Sequence, residues 1–177
     1  MALALVLAVT AMAAPDTRAA TATIPIPDHA RAADFTIEAV TGSKLDLAAL
    51  RSHGPVVLDF WATWCKPCVM ALPELDRLYR AHRERGLSVV AISVDGPRNF
   101  AKVRPFAAKL GLHVAVAIDR DGGLQQLYQV KACPTTFLIA RDGRIAWVRQ
   151  GYLPGDSVAL GKAIEALLDS AAVDSIP

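Results

Sequence analysis

The chain has 177 residues, 53% of them hydrophobic, and a formal net charge of +2. That length suits one domain with a sizeable core. The near-neutral balance, with no run of Lys or Arg, excludes the electrostatic footprint of a nucleic-acid binder.

Leu3 to Ala14, LALVLAVTAMAA, is apolar and uncharged. It falls short of the roughly 20 apolar residues that span a bilayer and fits the core of a secretory signal. Ala11 and Ala13 have the small-x-small spacing that predicts cleavage near Ala13/Ala14, and Ala20 to Ala22 offer a second candidate. No Lys or Arg precedes the apolar run, a departure from the usual signal, and no cysteine follows it to carry a lipid. Residues 1–22 are read as a signal peptide of an exported, periplasmic protein. Residues 23–33, with Pro25, Pro27 and Asp28 and no apolar period, are read as a linker. The remainder divides into one domain over 34–172 and a short tail, 173–177.

Within the domain, DFTIEAV and TGSKLDL alternate apolar and polar residues about a glycine turn, which predicts an N-terminal hairpin. GPVVLDF predicts a buried strand. From Cys65 to about Arg85, Val69, Leu72, Leu75, Leu78 and Tyr79 recur at helical spacing, with Gly86 as the stop and a kink expected near Pro73. LSVVAISVD is a second buried strand. NFAKVRPFAAKLGL is a helix, irregular at Pro105 and stopped by Gly111. HVAVAID predicts a strand and GGLQQLYQV a short helix. TTFLIARDGRIAWVRQ predicts a hairpin turning at Asp142-Gly143, and DSVALGKAIEALLDS a helix capped by Asp156 or Ser157. Strands alternating with helices, then a hairpin, predict an α/β fold with a mixed sheet.

The chemistry concentrates in VVLDFWATWCKPC. Three cysteines are an odd number and too few for a disulfide scaffold. Cys65 and Cys68 fall on one helix face, close enough to form a disulfide with little backbone movement. Cys65 sits at the helix start, where free N–H groups and the macrodipole favour a thiolate. Lys66 adds positive charge, and Pro67 suits the first turn because its missing N–H costs nothing there. Cys68, one turn in, is expected to be the more buried thiol. A zinc clip needs four donors, but there is no second CxxC, and His29, His53, His82 and His113 are scattered. A purely structural bridge gains little from so short a loop. Redox exchange is the favoured reading. Asp59, in an otherwise apolar strand, is expected to have a raised pKa if buried, the alternative being a solvated acid at a strand edge. Asp119 and Asp121 in DRDGG do not complete a calcium loop and read as a capping turn.

VVLDFWATWCKPC resembles the active-site strand and helix of the thioredoxin superfamily. ALPELDRLY resembles the continuation of that helix, and CPTTFLIARDGRI the segment holding the fold's cis-proline and following hairpin. The lead-in FTIEAVTGSKLDLAALRSHGPVVLDFWATWC and the extra helix around Asn99 to Leu110 resemble the TlpA/ResA group of periplasmic thiol–disulfide oxidoreductases. The likeness runs from about Asp34 to Asp169. It implies a thioredoxin-like fold, a central mixed sheet flanked by helices with an N-terminal β-hairpin and an inserted helix. It implies Cys65 as nucleophile, Cys68 as resolving cysteine, Asp59 as the acid that takes the resolving proton, and Pro134 as the cis-proline beside the substrate. Trp64, Lys66, Pro67 and Cys133 would border the substrate, Trp64 equally fitting a packing role. A neutral residue is common at the Asp59 position in the TlpA/ResA group, so the chain mixes two branches.

The implied activity is reduction of disulfides in exported proteins, with electrons from a membrane thiol reductase, in cytochrome c maturation or copper-site assembly. No small-molecule cofactor is needed beyond the Cys65–Cys68 disulfide, and no stable membrane insertion of the mature domain is expected. Two alternatives stand beside it: a copper-handling module using Cys65, Cys68 and Cys133 as soft ligands, and a thiol peroxidase on the same fold. Cys133 itself reads most simply as a small buried hydrophobe.

Overall fold

The computed structural model describes residues 30–173. These form, in chain order, β1 (Thr36–Glu38), β2 (Lys44–Asp46), α1 (Leu47–His53), β3 (Val56–Trp61), α2 (Lys66–His82), β4 (Ser88–Ser93), α3 (Phe100–Lys109), β5 (Ala115–Ile118), α4 (Gly123–Leu127), β6 (Thr135–Ile139), β7 (Ile145–Gln150) and α5 (Asp156–Val173).

The apolar runs become the middle of a five-stranded sheet in the order β5-β4-β3-β6-β7. Every residue of β3 is buried, as a central strand covered on both faces requires. β3, β4 and β5 run parallel, while β6 is antiparallel to β3 and β7 to β6. Alternation along the strands sorts side chains to two faces. Val57, Trp61, Val89, Ala91 and Leu138 pack under Leu72 and Leu75 of α2, Val103 of α3 and Ile164 of α5. Val56, Leu58, Phe60, Ile92 and Phe137 pack on the other face with Leu47, Leu124 and Tyr128. Each fully buried Leu or Ile in these layers contributes about 1.5–3 kcal/mol from removal of apolar surface. Asp59 shares the strand parity of Val57 and Trp61, so the sheet turns its carboxylate toward the side covered by α2.

Because β6 enters and β7 leaves beside the C-terminal ends of the parallel strands, all the loops of that end meet. Hydrogen bonds lace them together: Val94 N donates to Trp61 O at 2.8 Å, Asp119 N to Ser93 O at 2.9 Å and Gly151 N to Pro134 O at 2.7 Å.

The predicted hairpin is present as β1–β2, antiparallel and short, but its second arm turns at once into α1, a helix the alternation of KLDL concealed. Asp46 caps it, its carboxylate accepting from Ala49 N at 2.9 Å. Residues 30–33, read as linker, run against the β6–β7 turn: Ala32 N donates to Gly143 O and Ile145 N to Ala30 O, both at 2.9 Å. Those contacts are backbone-to-backbone, which composition does not mark. The stop at Gly86 has a concrete cause. Its φ is +99°, and a Cβ there would meet His53 O at 2.3 Å, so only glycine fits.

Candidate active site

β3 ends at Trp61, and the turn Ala62–Thr63–Trp64 delivers Cys65 to the start of α2. Cys65 adopts an extended conformation as the N-cap. Its Sγ is bonded to Cys68 Sγ at 2.03 Å, with the two Cα atoms 5.3 Å apart. The Cys68 amide donates to Cys65 Sγ at 3.3 Å, one of the helix N–H groups that would otherwise lack a partner. When the bridge opens, that amide and the helix terminus favour negative charge on Cys65 over Cys68. Cys65 keeps 5% exposure while Cys68 has none, so an incoming sulfur meets Cys65 first. Lys66 and Pro67 are exposed on the first turn. Trp64 and Met70, 65% and 58% exposed, are large apolar side chains left in solvent on either side of the pair.

Beneath the helix lies Asp59, wholly buried in the central strand, which rules out the solvated strand-edge reading. Its register partner is Thr136 on β6, whose hydroxyl donates to Asp59 Oδ1 at 2.6 Å. Oδ2 has no partner among the described residues. Burial pushes the carboxyl up to about 6, opposed by the Thr136 hydrogen bond. A carboxyl poised there loses its proton near neutral pH and accepts one again, as a general base must.

The Cys133–Pro134 peptide bond is cis. Pro134 is buried, and Cys133 is half-buried and packs against the cluster that holds Cys65 and Cys68. Burial pushes the Cys133 thiol up to about 11, with Asp59 and Asp95 adding repulsion, so it remains protonated at neutral pH. Among the described residues no three or more His, Cys, Asp or Glu side chains are gathered to hold an ion. Two of the three sulfurs, Cys65 and Cys68, are bonded to each other here, and Cys133 is the free thiol. Behind Pro134 a cavity of about 20 Å³, bounded by Thr136, Trp147, Tyr152 and Leu160 among others, has room for about one water.

Sequence reasoning passed over Asp95. Its carboxylate accepts from Thr63 N at 2.9 Å, Thr63 Oγ1 at 2.6 Å and Ser93 Oγ at 2.8 Å, at 1% exposure. It therefore ties the end of β4 to the turn that presents Cys65. The signal available was a Ser-x-Asp ending an apolar strand, polar where the pattern asked for nothing polar. Asp95→Ala leaves these donors without their acceptor, and we expect a loss of about 2–4 kcal/mol in urea unfolding, with a smaller loss for Asp95→Asn, which still accepts. Asp119 and Asp121, for their part, cap α4: Asp119 accepts from Leu124 N and Gln125 N, and Asp121 from Gly123 N.

Residues 29–148 match the model of the AhpC/TSA family. The chain is similar to the thiol-disulfide oxidoreductase ResA of Geobacillus kaustophilus, 33% identical over 127 residues, covering 72% of this chain and 71% of that one. The ResA of Oceanobacillus iheyensis is 37% identical over 119 residues, covering 67% and 60%. Among solved structures, a Chlorobium tepidum protein assigned as the thiol:disulfide interchange protein DsbE superimposes with a TM-score of 0.72 at 34% identity, over 78% of this chain and 95% of that one. A secreted disulfide oxidoreductase of Mycobacterium tuberculosis does so with a TM-score of 0.65 at 26% identity, over 75% and 96%.

Proposed function

The chain belongs to the AhpC/TSA family and is a thiol–disulfide oxidoreductase of the ResA/DsbE type, and from that premise we propose that it reduces disulfides of exported proteins. The observation that carries the reading is the closed Cys65–Cys68 pair capping α2, with Asp59 buried below it. In the dithiol form, thiolate Cys65 attacks one sulfur of a substrate disulfide. A Cys65–substrate disulfide forms, the substrate's own S–S bond breaks, and its other sulfur leaves as a thiolate and takes up a proton. Cys68, losing its proton to Asp59, then attacks Cys65 Sγ and releases the second substrate thiol. Two electrons have passed to the substrate and the bridge is closed again. A membrane thiol reductase reopens it by the reverse exchange. Cytochrome c maturation or copper-site assembly is the setting that the family resemblance suggests.

Export draws support from the apolar start of the sequence, which lies outside the described residues, and from the secreted Mycobacterium tuberculosis relative. The peroxidase alternative fares worse: Cys65 is paired, and the free thiol, Cys133, is raised rather than lowered, against the need of a peroxidatic thiolate.

The test is the midpoint potential of the Cys65–Cys68 pair, titrated against dithiothreitol and repeated on Cys133→Ser. A reducing value near that of thioredoxin, about −270 mV, unchanged by the substitution, is expected. A value near about −120 mV would reverse the direction of transfer and remove the reductase reading.

A further inference from the structure

The end of the sheet that carries the disulfide bears exposed cations from four separate segments of the chain. Lys66 opens α2 just after the turn that follows β3, Arg98 lies after β4, Arg120 after β5 and Lys131 just before the Cys133–Pro134 bond, all exposed. None has an ion-pair partner among the described residues. The Arg120 guanidinium lies 5.2 Å from the centre of the Phe100 ring, which holds it in place without neutralising it. In the same loops the exposed acid is Asp121, already accepting from Gly123 N. Asp95 and Asp119 are buried and occupied by their own donors. Elsewhere most of the arginines are matched locally, as in Arg77–Glu74, Arg80–Asp76, Arg85–Asp169 and Arg149–Asp156.

We propose that this charged end, with the exposed Trp64 and Met70 flanking the cysteine pair in the chain, is a docking surface for polypeptides whose disulfide lies in an acidic segment. It rests on the oxidoreductase reading and adds the charge of the preferred partner. The cations extend into solvent and would meet a partner's carboxylates directly. Asp95 and Asp119 lie below the surface, with their oxygens already engaged by their own donors, and cannot bond a partner's cations directly. Like-signed charge around a concave or loop-ringed site raises the encounter rate of oppositely charged partners by about 10- to 10³-fold at low salt. The exposed Trp64 and Met70 supply apolar contact area that tolerates many sequences, while the cations select.

The experiment uses the full chain and two peptides with the same disulfide core, one flanked by Asp and Glu and one by Lys. Each rate is normalised to that of the same protein with the neutral disulfide of 2-mercaptoethanol, so a variant that folds poorly corrects for itself. The acidic peptide is expected to react about tenfold faster at low ionic strength, with the preference collapsing in about 0.5 M salt. Arg98→Glu with Lys131→Glu should abolish or invert the preference. Equal rates for the two peptides, a preference insensitive to salt, or one that survives both charge reversals would overturn the acidic-partner proposal alone. Failure to react with either peptide or with the neutral disulfide would overturn the oxidoreductase reading as well.

Discussion

Replacing Cys68 with serine is expected to turn a catalyst into a trap. Cys65 still attacks and forms the mixed disulfide, but the thiol that should displace the product is gone. Cys68 sits 5.3 Å away between Cα atoms and has no exposure, so no solvent-borne thiol takes over its position. The covalent adduct with a disulfide-bearing protein should accumulate, visible on non-reducing gels and as the summed mass. Cys65→Ser should give no adduct. Turnover in an insulin-reduction assay should fall by more than about 10³-fold in either variant, since loss of a member of a concerted catalytic set leaves background chemistry. If Cys65→Ser were the variant that trapped substrate, the two sulfurs would have to exchange roles, and the helix-terminus argument for Cys65 would fail with them.

Asp59→Asn should have the second-largest effect, and it acts on rate and stability in opposite directions. The carboxyl is raised from 3.8 to about 6, chiefly by burial. Between those values the folded chain holds a proton that the unfolded chain has released. Stability therefore falls as pH rises from about 4 to about 6 and then levels off. At roughly 1.4 kcal/mol per unit, the burial of this charge costs about 3 kcal/mol at neutral pH. Asp59→Asn should be free of that fall, so its stability relative to the parent, followed by urea unfolding, should improve by about 3 kcal/mol between pH 4 and 7.5. Its resolving step should nevertheless slow by at least about 10²-fold, the usual worth of a positioned general base, and lose the rise in rate through about pH 6. Thr136→Val provides an internal check. Without the hydroxyl that lowers Asp59, the inflection should move above about 6 while the rate above it is retained. A parent whose rate shows no inflection near 6, or an Asp59→Asn variant with undiminished resolution, would remove Asp59 from the proton path.

Much of the architecture was legible along the chain. VVLDFW and LSVVAIS announce buried strands because apolar residues, many of them β-branched or aromatic, dominate both short runs. The helix after Cys65 shows itself by the spacing of Leu72, Leu75 and Leu78, all buried in α2. The hairpin turn at Asp142-Gly143 is also where the sequence put it, with Gly143 at φ +90°. The short α1 was not legible, because a seven-residue helix carries too few turns to outweigh the alternation before it. The pairing of residues 30–33 with the β6–β7 turn was equally hidden, for backbone hydrogen bonds leave little trace in side-chain pattern.

The sequence by itself determined the order of the elements, the placing of Cys65-Lys66-Pro67-Cys68 at a strand-to-helix junction and the anomaly of an Asp inside an apolar strand. Local periodicity and the spacing of two thiols are short-range matters, contained within a turn or a few turns of chain. Only the tertiary structure decided what surrounds the pair. Thr136 reaches Asp59 across 77 positions of chain, and Asp95 reaches Thr63 across 32. Cys133 comes to rest against the redox cluster, and Lys66, Arg98, Arg120 and Lys131 come from separate segments to the same end. Each of these depends on strand register and on which face of the sheet a helix covers. A one-residue slip would turn every such side chain to the opposite face, so packing of the whole sheet fixes them and no local stretch contains them.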